Sequence, residues 1–339
     1  MRCIMINQNS SLSMLARFVA GMLILSASFM TAMVFGAADT SVKEIWLAIT
    51  STVKTETITM IREIRLPREV AAIFVGAALS VAGAIMQGLT RNPLADPGLL
   101  GLTAGANAAL ALIMALSPSA GYLAITFACF IGAAVGVILV FGIGALKKGG
   151  FSPLRIVLAG AAVSAFLFAV AEGIGLYFKI SKDVSMWTAG GLMGTSWTQL
   201  KIIVPFILVG MLIAFYLARQ LTILSLSEEV AVGLGQKTNL IKLVLFIVIV
   251  LLAGSSVALV GNMAFIGLMV PHIVRMFVGT DYRFVLPMSA LFGASFMLIA
   301  DTLGRTINAP YETPIYAIIS MLGLPFFLFI VRKGGKSFT

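Results

Sequence analysis

One long uncharged run, inside the stretch from Arg65 to Gly101, limits the folds that are open to this chain. About twenty apolar or small residues follow Glu69, which is enough for a helix to cross a lipid bilayer. The segment 92–97, Asn-Pro-Leu-Ala-Asp-Pro, then interrupts the run, and a second apolar run begins at Leu99. The pattern predicts a membrane-spanning helix that ends in a turn.

Small residues recur along this predicted helix. They stand three to five positions apart, at Gly76, Ser80, Gly83, Ala84 and Gly88. Because small side chains let two helices approach closely in lipid, we expect other helices to pack on this one at short distance.

The composition agrees with a membrane protein. Hydrophobic residues make up 60% of the chain and charged residues 11%, whereas soluble domains carry roughly a quarter charged residues. The net charge of +10 is therefore interpreted as the excess of Lys and Arg that membrane proteins carry in their cytoplasmic loops, rather than as a sign of nucleic-acid binding. The two cysteines, Cys3 and Cys129, have no metal-ligand spacing, and no bound cofactor is expected.

The apolar runs predict an all-α, polytopic membrane protein with about ten transmembrane helices in a single domain, residues 1–339. The first run is long enough for a membrane helix, although its small-residue end at Gly36 also resembles a signal-peptide end. The polar segment 39–64 predicts a surface helix. The predicted spans are 14–36, 67–87, 99–116, 121–146, 154–178, 200–218, 240–260, 265–278, 285–304 and 314–331.

The loop charges predict which side of the membrane each loop faces. With both termini in the cytoplasm, fourteen Lys and Arg residues fall on the cytoplasmic side and nine on the external side. Three of the external ones, Arg62, Arg65 and Arg68, form a cluster that runs against the bias. This cluster calls for a reason other than topology.

The motifs of the chain, taken in order, resemble one family. They are Leu-Pro-Arg at 66–68, Gly-x-x-x-Gln at 83–87, NPLADPGLLG at 92–101, GNMAFIGL at 261–268 and PHIVR at 271–275. Ala300-Asp301 and the segment 323–327 continue the match. The chain thus resembles the permease family of ABC importers for iron–siderophores, haem and vitamin B12.

The resemblance implies a role for three arginines. In that family, arginines at the positions of Arg65, Arg68 and Arg305 meet acidic residues on a two-lobed substrate-binding protein. Arg–carboxylate pairs orient a partner and speed its encounter. The alternative is that these side chains reach the membrane interface by snorkelling. Docking by exposed arginines is the favoured interpretation.

The loop 219–242 predicts a contact with a cytoplasmic partner. Ser227, Glu228 and Glu229 are typical of a helix start, and Gly233 and Gly235 of a helix end. The resemblance implies that this helix couples to an ATPase subunit, with Val230, Ala231 and Leu234 as its apolar face. A solvated connector is the alternative.

Two acidic residues, Glu172 and Asp301, lie inside predicted spans. Charged groups there usually face a cavity or a partner. They would serve a proton-coupled secondary transporter as proton carriers, which is the alternative function. For Asp301, a helix-packing hydrogen bond is the favoured interpretation, and His272 is interpreted as a packing residue.

The segment 186–197 is placed outside the membrane. It predicts an aromatic belt with a glycine turn, and the resemblance implies a short external helix beside the gate. Trp187, Gly190 and Gly191, together with Glu172, are the candidates for the gate and pathway.

The predicted function is that of a non-enzymatic permease subunit in an ABC importer for a metal chelate, foremost a ferric siderophore. The tail Gly334-Gly335-Lys336-Ser337 resembles a phosphate-binding loop but lacks the earlier glycine, since position 330 is Ile330. The expected partners are two ATPase subunits, a second permease subunit that is a copy or a paralogue, an extracytoplasmic binding protein and the lipid bilayer of the cytoplasmic membrane.

Overall fold

The architecture is all-helical throughout the part of the chain that the structure describes. A computed structural model describes residues 2–36, 40–145, 153–189, 191–309 and 311–332. Its α-helices are α1 (Arg2–Val34), α2 (Val42–Thr50), α3 (Glu56–Met60), α4 (Leu66–Thr90), α5 (Leu102–Leu116), α6 (Tyr122–Ala145), α7 (Pro153–Tyr177), α8 (Ser181–Ala189), α9 (Trp197–Tyr216), α10 (Ala218–Leu226), α11 (Glu228–Gly233), α12 (Thr238–Val260), α13 (Ile266–Val278), α14 (Tyr282–Thr306) and α15 (Ile315–Arg332).

The prediction of about ten membrane helices is confirmed. Seven helical segments of the described chain are long and apolar enough to cross a membrane. Three shorter apolar helices, α5, α13 and most of α15, account for the other predicted spans. The second span is longer than predicted, because a π-helical turn at Ile61–Arg65 joins α3 to α4 and makes Glu56–Thr90 one 35-residue segment.

Helix α4 is the central helix of the bundle. It packs against α14, α12, α13 and α9, and 83% of the residues in its most apolar stretch are buried. Its small residues explain this position, as the sequence predicts. A Cβ atom at Gly76 would lie far inside van der Waals distance of the Gly293 carbonyl oxygen on α14, so the two backbones touch directly.

A second close contact positions the start of α13. Gly83 of α4 faces the backbone of Gly267, and the Gln87 Nε2 donates hydrogen bonds to the carbonyl oxygens of Gly267 and Leu268, at 3.2 and 3.1 Å. Gly83 lies about 22 Å along α4 from Arg68, given a rise of about 1.5 Å per residue. Helix α13 therefore begins within the bundle, after the non-helical residues 261–265.

The Gly83 contact gives a prediction about stability. Gly83→Ala should lower the melting temperature of the detergent-solubilised protein, because the added methyl group meets a backbone carbonyl that cannot move aside. Gly173→Ala on α7 is the control, since a Cβ atom there has no neighbour within 4 Å and alanine favours helix. Equal melting temperatures for the two variants would contradict the close contact.

Candidate functional site

The predicted docking arginines do come together, but inside the protein. Arg65 closes the π-helical turn, Arg68 lies in the first turn of α4, and Arg305 lies in the last turn of α14. These residues are only 6%, 9% and 4% exposed. The end of the bundle where they lie is called the arginine end below.

Arg68 holds two carboxylates at once. Its Nε and Nη2 atoms donate to the carboxylate of Asp301 on α14, with a shortest distance of 2.8 Å. Its Nη1 and Nη2 atoms donate to the two carboxylate oxygens of Glu312, each at 2.9 Å. One guanidinium group thus joins α4, α14 and the segment that precedes α15.

Arg305 and Arg65 extend the network to α1. The Arg305 Nη2 donates to Glu69 Oε1 at 2.6 Å and to the Ala32 carbonyl oxygen at 3.2 Å, and Arg305 Nε lies 2.9 Å from Asp301 Oδ2. The Arg65 Nη1 donates to the carbonyl oxygen of Met33 at 2.6 Å and to Thr40 Oγ1 at 2.7 Å. The last turn of α1 is therefore held by two arginines.

The expectation of exposed arginines is wrong, and so is snorkelling to the interface. The guanidinium groups of Arg68 and Arg305 pair with the carboxylates of Glu69, Asp301 and Glu312, and Arg65 joins the same end of the bundle through hydrogen bonds to the Met33 carbonyl and Thr40. Burial of a charge requires a partner of opposite sign, and this network supplies it. We call these six residues the charge cluster.

Glu69 and Glu312 are the members of the charge cluster that sequence reasoning missed. Glu69 directly follows Arg68 at the start of an apolar helix, where an acidic residue needs a cationic partner. That position was the available signal. Glu312 lies in a short polar segment before α15, and nothing in its local sequence indicates a partner.

The packing interpretation of Asp301 is confirmed. Its carboxylate joins Arg68 of α4 to Arg305 of its own helix. Glu172 does not join it, since Glu172 is exposed on α7, which packs on α5, α6 and α8. His272 packs edge-on against the ring of Phe326, with centroids 5.7 Å apart, in agreement with the packing interpretation.

At the opposite end of the bundle, α10 and α11 form the predicted capped loop. The Ser227 Oγ accepts a hydrogen bond from the Val230 N–H at 3.0 Å, and Glu228 pairs with Lys242 of α12 at 2.6 Å. Gly235 has a φ of 77°, a left-handed conformation that glycine adopts readily after a helix. The predicted start and end of this helix are confirmed.

The predicted apolar face of α11 is only partly right. Val230 and Leu234 are exposed, but Ala231 is fully buried because it faces the protein. Val232, which the sequence analysis did not single out, is exposed instead. The exposed apolar surface of this loop, which we call the α11 surface, consists of Val230, Val232 and Leu234, with Glu229 exposed beside it.

The α11 surface has a firm support. Thr222 of α10 accepts from the backbone N–H of Tyr282 at 2.9 Å and donates to Asp281 at 3.1 Å, which ties α10 to the start of α14. Burial opposes the charge of Asp281, but hydrogen bonds from Arg283 and Thr222 outweigh it and lower the pKa of this carboxyl. The loop is thereby fixed to the bundle on two sides.

The predicted short helix near the tryptophans is present as α8. The rings of Trp187 and Tyr122 lie 5.2 Å apart, and the Gly191 N–H donates to the Val260 carbonyl oxygen at 3.2 Å. Gly191 has a φ of 127°, which favours glycine there. Gly190 lies outside the described residues, and the gate role of this segment stays a prediction.

Apolar helices packed around α4, with charges neutralised in pairs between them, define a polytopic α-helical membrane protein. The chain belongs to the FecCD transport family, whose family model matches residues 23–333. This confirms the resemblance that the motifs indicated.

The relatives are permease subunits of import systems. The chain is 41% identical over 316 residues to the iron(3+)-hydroxamate import system permease protein FhuB of Bacillus subtilis (strain 168), covering 93% of this chain and 82% of that protein. It is 41% identical over 275 residues to the hemin transport system permease protein HmuU of Yersinia pestis, covering 80% and 82%.

A solved structure has the same fold. It is described as an inward-facing conformation of a metal-chelate type ABC transporter, and it matches with a TM-score of 0.81 at 26% identity. The match covers 93% of this chain and 98% of that one.

The charge cluster gives a second prediction about stability. Asp301→Asn should destabilise the folded protein by about 3–5 kcal/mol, because it leaves two buried arginines short of one carboxylate. Arg283→Gln is the control, since its ion pair with Asp281 is solvent-exposed and contributes little. Melting temperatures in detergent compare the two variants. An Asp301→Asn protein that melts like the wild type would show that the network is not a stabilising one.

Proposed function

We propose that this chain is the membrane-spanning permease subunit of an ABC importer that moves a metal chelate, foremost a ferric siderophore, across the cytoplasmic membrane. The observation that carries the proposal is the family match over residues 23–333 together with 41% identity to an iron(3+)-hydroxamate permease. Other relatives are named for ferric citrate, hemin and ferric enterobactin transport. Their shared cargo is iron held in an organic chelate, which is the substrate class proposed here.

The energy would come from a separate ATPase that binds the α11 surface. Val230, Val232 and Leu234 expose apolar side chains on a firmly anchored loop, which is the usual form of a docking element. Because α10 and α11 are anchored to the bundle, a movement of the ATPase that displaces this loop would also displace α12 and α14. The Glu228–Lys242 and Thr222–Asp281 contacts would transmit this displacement. The chain itself would carry out no catalysis and bind no cofactor.

The proton-coupled alternative is not favoured. A proton carrier needs a carboxyl group that is open to the transport pathway, but the carboxylate of Asp301 is fully buried and held between Arg68 and Arg305. Glu172 lies on α7, which packs mainly on α5, α6 and α8 rather than on α14. Two carriers placed in this way would not form a relay.

We place both termini in the cytoplasm, from the loop charges. The arginine end then faces outward and the α11 surface faces inward. Docking of a substrate-binding protein at the arginine end stays a prediction. The burial of the three arginines restricts how such a protein could contact them. The side chain of Glu312, which pairs with Arg68, is 24% exposed. An incoming carboxylate would therefore compete with Glu312 for Arg68.

A second permease subunit would complete the pathway. Glu172 is exposed on α7 among exposed apolar residues such as Leu176 and Phe168. An acidic group there is costly if it faces lipid alone. We assign this side of α7, together with Trp187 of the next helix, α8, and Gly191, to the pathway between two subunits, which would be identical or paralogous.

Reconstituted transport tests the proposed function. The chain is assembled in liposomes with its ATPase and binding protein, and uptake of radioactive iron as a ferric hydroxamate is measured. We expect uptake only when ATP is present on the side of the membrane that corresponds to the cytoplasm. Uptake driven by a proton gradient without ATP would establish the secondary transporter instead.

The same assay tests the α11 surface with a matched pair of variants. Leu234→Glu should lower ATP-dependent uptake at least about tenfold, because a charge in an apolar contact loses more than about 1.4 kcal/mol of binding. Leu234→Met keeps an apolar side chain and should transport normally. Normal coupling in Leu234→Glu would mean that the loop is only a connector.

A further inference from the structure

Helix α2 has two apolar sides, and only one of them is buried by the protein. Ile45 and Ala48 pack into a small cluster with Met33, Ile58 and Ile61. Val42, Trp46 and Ile49 lie on another side at the spacing i, i+4 and i+7, and all are exposed, Trp46 by 67%. We call these three residues the α2 stripe.

The position of α2 places the stripe at the edge of the bundle. Met33, which α2 covers, belongs to the last turn of α1. Only 22% of the residues in the most apolar stretch of α1 are buried, and Met30 and Phe35 are exposed near the end of this helix. Helix α2 therefore lies beside the end of α1, a span whose apolar residues are mostly exposed.

The start of α2 is capped within the helix, and its end is tied to Arg62, which together with the packing of Ile45 and Ala48 keeps the stripe facing outward. At the start, Ser41 and Glu44 form a reciprocal capping box, with Glu44 Oε2 accepting from the Ser41 N–H at 2.8 Å. At the end, the Arg62 guanidinium donates to the carbonyl oxygens of Ala48 at 2.6 Å and Leu47 at 3.1 Å. Arg62 also donates to the carbonyl oxygens of Val53 and Ser51.

We propose that α2 is an interfacial anchor whose stripe enters the headgroup–acyl boundary of the leaflet at the arginine end. A helix with a rigidly presented apolar stripe and a tryptophan is suited to that boundary, where amphipathic aromatic rings concentrate. Lipid is the occupant because α2 lies beside the end of α1, a span that is mostly unburied by protein and that a membrane protein turns toward lipid. The charges of Lys43 and Glu44 cancel, so the anchor needs no anionic lipid.

The anchor has a consequence for the charge cluster. Arg62, which holds the end of α2, belongs to the same π-helical turn, Ile61–Arg65, that carries Arg65. Trp197 Nε1 also donates to the Arg62 carbonyl oxygen at 2.8 Å, which adds α9 to the support. The depth of α2 in the lipid therefore sets the position of the turn from which α4 begins.

Tryptophan quenching tests the anchor in the full chain. With Trp187→Phe and Trp197→Phe, Trp46 is the remaining fluorophore of the three tryptophans. The protein is placed in nanodiscs of zwitterionic lipid with bromine atoms near the headgroup or near the chain end. We expect headgroup-proximal bromine to quench about twofold more, since such helices lie about 5–10 Å into the boundary. Aqueous iodide should quench weakly.

A second measurement does not depend on those replacements. A nitroxide attached to Ile49→Cys, with Cys3 and Cys129 replaced by serine, should be more accessible to oxygen than to a water-soluble nickel complex. A label at Lys43→Cys, on the exposed polar side, should show the reverse. Strong iodide quenching of Trp46 with a water-exposed label at residue 49 would overturn the anchor. So would a stripe that becomes covered only when the binding protein is added, which would assign the surface to a protein partner.

Discussion

Neutralisation of buried charge at the arginine end is the constraint on which the rest of the structure depends. Arg65, Arg68 and Arg305 are almost fully buried, and a buried guanidinium group without a partner is strongly destabilising. The carboxylate partners of Arg68 and Arg305 come from different parts of the chain, since Glu69 lies on α4, Asp301 on α14 and Glu312 before α15, while Arg65 donates to the Met33 carbonyl of α1. The charge cluster can form only when α1, α4 and α14 are in their final positions.

Close backbone packing extends this arrangement along α4. Asp301 lies eight residues from Gly293, as Arg68 lies eight residues from Gly76, so the ion pair and the glycine contact fix the same register between antiparallel helices. Further along, Gly83 and Gln87 position the start of α13. The α4 core is thus a rigid scaffold, and the exposed surfaces proposed to meet partners lie around it: the α11 surface at one end and the exposed side of α7.

Sequence reasoning reached the parts of the structure that depend on local pattern. The apolar runs predicted the membrane helices because bilayer thickness fixes their length. Gly76 and Gly83 were predicted to make close contacts because small residues have few other uses in such a helix. The capped start of α11 at Ser227 followed from helix-end chemistry, and the structure has it.

What sequence reasoning missed depends on residues far apart in the chain. The pairing of Arg68 with Asp301 joins residues separated by 233 positions, so the burial of this arginine could not be read from its surroundings. The same holds for Arg62, whose hydrogen bonds end α2, and for Ala231, which faces the protein. In each case a charged or apolar side chain was assigned to a surface, and the tertiary structure placed it against another segment.

A double-mutant cycle on Glu69 and Arg305 tests most directly whether the buried arginines stabilise the protein from within. The variants are Glu69→Met, Arg305→Met and the double variant, compared by free energy of unfolding in detergent. We expect each single variant to lose about 3–5 kcal/mol and the double variant to recover a part of it, because an apolar pair leaves no charge unpaired. Single variants as stable as the wild type, or losses that simply add, would contradict the internal charge cluster and return these arginines to an exposed role.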